Sequence, residues 1–78
     1  NLSGANLAFS NLEKANLSNA NLKGVNFKGA NLVNANLKNA NLKLAINLSI
    51  HQIQSALNWE NADYDEEFIN KITKQLKK

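Results

Sequence analysis

The 78-residue chain contains no cysteine and no arginine, one histidine and few aromatic residues. Without cysteine there are no disulfides, no thiol catalysis and no thiolate metal site, while the redox compartment stays open. No run is apolar enough to span a bilayer, and no signal peptide is recognisable, so a soluble chain is expected, with the cytoplasm slightly favoured. The length allows one compact unit whose core is too narrow to enclose a buried active site. Acid is scarce in the first half, where Lys14, Lys23, Lys28, Lys38 and Lys43 face Glu13 alone.

What fills that half is a repeat. Leu2, Leu7, Leu12, Leu17, Leu22, Phe27, Leu32, Leu37 and Leu42 recur every fifth residue, each preceded by asparagine. Two positions before each, from Leu7 onward, stands Ala5, Ser10, Ala15, Ala20, Val25, Ala30, Ala35 or Ala40. An α-helix would rotate these leucines by roughly 140° at each repeat, and a flat strand would throw them to alternate faces. Only a backbone that bends once per repeat, always in the same sense, keeps them together. The second of the two variable positions is Gly or Asn in six of nine units. Those residue types accept the positive φ that a type II turn demands, so the bend belongs there. Leucine and the small residue then point inward, and asparagine and the variable residues face water.

The tandem A-N-L-x-x pattern over residues 1–48 resembles the pentapeptide-repeat proteins. The resemblance implies an all-β solenoid, a right-handed quadrilateral β-helix, in which four units form a coil of about twenty residues and only stacking of coils buries a core. Coils would lie ~4.8 Å apart. Leu2 would stack on Leu22 and Leu42, Leu7 on Phe27, Leu12 on Leu32 and Leu17 on Leu37, and the asparagines would form outer ladders through their amides. Phe27 occupies a leucine slot and reads as core. Phe9 and Leu44 depart from the pattern at the outward turn position: Leu44 is expected to touch the C-terminal segment, and Phe9 to make a local surface contact or part of an interface. Asn1 is not a start methionine and falls partway through a repeat, so the chain reads as a fragment or as one lacking its first residues. Leu2 would lie on an open coil, and an end-to-end homodimer through that N-terminal coil is the expectation it raises.

After Ala45 the phase slips by one, placing the next unit at Ile46-Asn47-Leu48 and predicting a bulge before it. A helical cap over 49–78 follows. Ser49 and Gln52 form a capping box that opens a short helix with Ile50, Ile53 and Leu57 along its apolar stripe. A turn spans 58–63. Asp65 reads as the N-cap of a second helix, with Glu66 and Glu67 first, Phe68, Ile69, Ile72 and Leu76 on one side, and Lys74, Lys77 and Lys78 at its end, as the helix dipole prefers. Asn58-Trp59-Glu60-Asn61-Ala62 and Tyr64-Asp65-Glu66-Glu67-Phe68 resemble the helical tail of many cyanobacterial pentapeptide-repeat proteins. A solenoid end needs such a cover, and Ile50, Ile53, Leu57, Trp59 and Phe68 are expected to lie over the last coil.

Candidate chemistry is thin. His51 has no visible partner. Asp63, Asp65, Glu66 and Glu67 lack the central glycine and alternating ligands of an EF-hand, and helix-start acids explain them better. Ser10, Ser18 and Ser49 have neither a base nor an oxyanion arrangement. No catalytic residue, cofactor site or metal site is therefore expected, and the chain reads as no enzyme. Some relatives that the resemblance brings to mind carry Asp before the central Leu and mimic DNA toward topoisomerases, but here every such position is Asn and the repeat is cationic. The lysines are scattered over several faces without arginine, which argues against nucleic-acid binding as well. The expectation is a structural or protein-interaction module with an unidentified protein partner, no nucleic acid and no membrane.

Overall fold

The computed structural model describes residues 2–76. Its organising feature is a twenty-residue step: Asn6 pairs with Asn26, Asn11 with Asn31, Asn16 with Asn36 and Asn21 with Asn41, each in a parallel bridge. Four five-residue units thus make one coil, with four sides and four corners. We name the second side by the bridged column of Asn6, Asn26 and Ile46.

The corners lie where the repeat implied. Phe9, Lys14, Asn19, Asn34, Asn39 and Leu44 have φ between 59° and 62°, and Gly4, Gly24 and Gly29 between 66° and 74°. At each corner the N–H of the next small residue donates to the carbonyl of the preceding core residue, as in Ala30 to Phe27 at 3.0 Å. Bending so often leaves about one residue per side to pair. The all-β expectation is restated accordingly: among the described residues, β pairing consists of isolated bridges, and the regular elements are helices.

The unit from Ala35 to Asn39 shows why five residues close the account of backbone donors. Ala35 N–H donates to Leu32 O within the corner, Asn36 N–H to Ala15 O in the coil before, and Leu37 and Asn39 N–H to Leu57 O and Asn61 O in the coil after, all at 2.9–3.0 Å. Lys38 N–H donates to the Asn36 side-chain oxygen at 3.1 Å. No donor in the unit is left over, which matters because an unpaired amide costs as much as a lost hydrogen bond.

Leu22, Phe27, Leu32, Leu37 and Leu42 fill the interior with Val25, Ala30, Ala35 and Ala40 between them, all buried. Leu17 joins them, Leu7 and Leu12 are half-buried, and Leu2 is exposed on the first coil. Each fully buried leucine contributes about 2 kcal/mol.

The third coil departs from the pattern in register and in content. Asn26 pairs with Ile46, Asn36 with Leu57 and Asn41 with Asp63, separations of 20, 21 and 22 residues. Helix α1, Ile50–Gln54, supplies the first extra residue, and a 3₁₀ turn, Trp59–Asn61, the second. The segment expected as a cap therefore also closes a coil. Ser49 and Gln52 form the expected capping box, and the Gln52 amide reaches Phe27 O at 2.7 Å and Ala30 O at 3.0 Å, so α1 is fastened to the second-coil corner beneath it. Helix α2, Glu66–Leu76, follows, with Ile72 buried and Phe68 half-buried against the core.

Three expectations need correction. Register holds through Ile46, which takes an asparagine slot and is exposed; the irregularity comes after it, where Asn47 turns with φ of 58° and lets Leu48 reach the core. Leu57 lies beyond the end of α1, in the slot above Asn36, and faces outward, because the helix is shorter than its apolar spacing suggested. Ala56 and Tyr64 take the inward positions instead, and both are buried. Trp59 and Ile53 do turn toward the core, Ile53 completely, whereas Ile50, in the first turn of α1, is only half-buried and does not pack against it. Asn1, Lys77, Lys78 and the side chain of Leu76 lie outside the described residues.

Candidate functional site

The outer surface is built by asparagines that act locally. Each Oδ1 of Asn6, Asn11, Asn16, Asn21, Asn26, Asn31, Asn36 and Asn41 accepts the N–H two residues on, at 3.0–3.2 Å. The expected amide ladders are thus displaced by Asx turns, since the nearby N–H has no other acceptor. Asparagine-to-asparagine bonds occur at the third coil, from Asn47 to Asn26 at 3.3 Å and from Asn58 to Asn36 at 2.9 Å. Both donors have positive φ.

Phe9 is 74% exposed, and its ring lies over Gly29 so closely that a Cβ on Gly29 would sit 2.5 Å from the ring. Leu44 is 58% exposed at the corner opening the second side, and Ile46 is 50% exposed in the middle of it. Lys23, Lys28 and Lys43 stand exposed at the same two corners, whereas Lys14 and Lys38 occupy the others. Leu2, the other residue expected at an interface, lies on the first coil, away from this side.

Above the second side lies an open groove of about 700 Å³ between the third coil and α2. Leu42, Leu48 and Phe68 form its apolar part, and Asp65, Glu66 and Glu67, with Lys71, its charged rim. Asp65 immediately precedes α2, as expected of an N-cap, and its main-chain oxygen accepts Ile69 N–H at 3.0 Å. Its carboxylate is engaged elsewhere, accepting Leu44 N–H at 3.0 and 3.1 Å. In earlier coils a main-chain carbonyl does this, as Lys43 O does for Gly24. The carboxylate substitutes once the chain turns into the helix.

Residues expected to be chemically idle are tied into the fold. Ser18 donates to Asn16 Oδ1 at 2.7 Å, and Ser49 accepts from Gln52 N–H at 3.1 Å. His51 is exposed on α1. Among the described residues, no three of His, Asp and Glu are grouped to hold a metal ion. The titratable group that sequence reasoning passed over is Tyr64, which donates to Trp59 O at 2.6 Å. Burial, and secondarily the charge of Glu60, pushes its hydroxyl well above the usual tyrosine range. Its position two residues after Ala62, as Leu42 stands after Ala40, was the available signal. No described helix is long and apolar enough to cross a membrane.

A family model for pentapeptide repeats matches residues 1–39, in eight copies. No curated protein matches the chain.

Proposed function

The chain belongs to the pentapeptide-repeat family, and from that membership we propose that it is a non-catalytic structural or protein-interaction module. Its fold on this reading is the family's right-handed quadrilateral β-helix, closed by a helical C-terminal cap of the kind that the tail's cyanobacterial resemblance implies. One observation carries the proposal. Most backbone donors and the core leucines are consumed by the stack, so the variable corner residues are the groups left to meet another molecule.

The partner on this reading is a protein, with no nucleic acid and no membrane involved. Phe9 belongs to the contact surface. Leu2 belongs to a second contact, end-to-end pairing of two copies through the first coil. In support, the first coil holds one acid and one base, Glu13 and Lys14. Two such ends would meet without net repulsion. A DNA-mimic role toward a topoisomerase is disfavoured by the five exposed repeat lysines against one glutamate.

Affinity capture from the source cell tests the module. The intact chain is expected to retain a defined protein, and retention of nothing beyond what an unfolded Leu22→Asp control retains defeats the reading. A supercoiling assay is expected to show no inhibition. Sedimentation at high concentration should reveal a dimer, and a strictly monomeric profile removes end-to-end pairing.

A further inference from the structure

We propose that the second side, with its two bordering corners, is the working surface of the module, and that its partner is an acidic amphipathic polypeptide segment. The proposal rests on the interaction-module reading above and names its surface and partner. Phe9 and Leu44 both hold φ of 62°, where Gly and Asn serve at most other corners. A bulky side chain in that conformation is strained, its Cβ crowding the following carbonyl oxygen. Neither offsets that strain by burial, as both remain more than half exposed. Ile46 stands in an asparagine slot, half exposed, and gives up the Asx turn that its counterparts Asn6 and Asn26 make.

These three departures border or occupy one side. Exposed apolar residues are ordinary when scattered, but a grouped set with charged neighbours marks an interaction surface. Lys23, Lys28 and Lys43 supply the charges, and the stretches 3–9, 23–29 and 43–48 that form this side and its corners contain no carboxylate. The Phe9 ring is already laid on Gly29, so little ordering is lost on binding. Phe9 is on the first coil and Leu44 and Ile46 on the third, two steps of ~4.8 Å apart. The vertical part of that span is about the rise of six to seven residues of an α-helix.

The charge pattern selects among partners. Asp65, Glu66 and Glu67, with Lys71 as the one base among them, rim the groove at the upper end of the same side, and this net negative charge opposes a continuous row of phosphates. A single aromatic also makes a poor base-stacking platform. A polypeptide can place carboxylates against the lysines and none near the rim.

The test is fluorescence anisotropy of the 78-residue chain with a labelled 18-residue helical peptide of Glu, Leu and Phe, its apolar residues on one face and seven apart. Phe9→Asn, Leu44→Asn and Ile46→Asn each restore the repeat's own residue, so the triple variant is expected to melt no lower than the parent while binding at least tenfold more weakly. Lys23→Gln with Lys28→Gln and Lys43→Gln should weaken binding and flatten its salt dependence, and Lys38→Gln on another corner should change neither. Equal binding by the triple variant, no binding by the parent chain, or a preference for dT18 or phosphatidylglycerol vesicles over the peptide overturns the proposal. Any of these leaves the module reading standing if capture from the source cell still yields a partner.

Discussion

At the scale of single residues, the corner position explains more of this chain than the core does. Gly29 is the position where sequence reading and structure complement each other. Its positive φ was expected from the turn, but its role as a floor for Phe9 depends on a neighbour twenty residues away. Gly29→Ala should therefore cost more than the ~1 kcal/mol typical of losing glycine in this conformation, because the new methyl meets the ring at 2.5 Å. In a Phe9→Asn background that excess disappears. A double-mutant cycle by urea denaturation should show coupling of about 0.5–3 kcal/mol, and strict additivity would contradict the contact. The asparagines teach a related lesson: their outward placement was legible from alternation, but the choice between ladder and Asx turn hung on which N–H lacked a partner.

At the scale of elements, α1 and the 3₁₀ turn are corners rewritten as helices. Tyr64 fastens the second of these by its bond to Trp59 O. Because burial raises its folded-state pKa above the unfolded value of about 10, the folded chain keeps a proton that the unfolded chain releases at high pH. Its contribution is thus full below about pH 9 and declines as pH rises past 10. Comparing urea midpoints at pH 8 and pH 11, the parent should lose stability beyond the loss in Tyr64→Phe, which itself costs about 1 kcal/mol at pH 8 through the missing hydrogen bond. An identical alkaline loss in both would show that Tyr64 is not its source. The start of α2 was readable from Asp65 and the acids after it. Leu57 was misjudged because an apolar residue at helical spacing does not reveal that the helix has already ended.

At the scale of the whole molecule, stability is a property of stacking. Among the described residues the middle coil is the most completely buried, having coils on both sides, while the first coil keeps Leu7 and Leu12 half-buried. Leu22→Asp places a charge among Phe27, Val25 and Leu42 with no partner, a cost of several kcal/mol against a total stability of order 5 kcal/mol for a domain of this size. Circular dichroism melting should find it unfolded at 25 °C. Lys23→Asp, one residue along and exposed, should melt within a few degrees of the parent. Similar losses in the two variants would reverse the assignment of inside and outside.

The five-residue period was enough to dictate the bends, the inward leucines, the positive-φ corners and the cationic surface, since each follows from side-chain size, local turn chemistry and charge. It could not dictate where the third coil gains its two residues, that Asp65 gives its carboxylate to Leu44, or that Phe9, Leu44 and Ile46 share a side with three lysines. Those features join residues about twenty or more apart, and a contact of that kind exists only once the coils have closed upon one another.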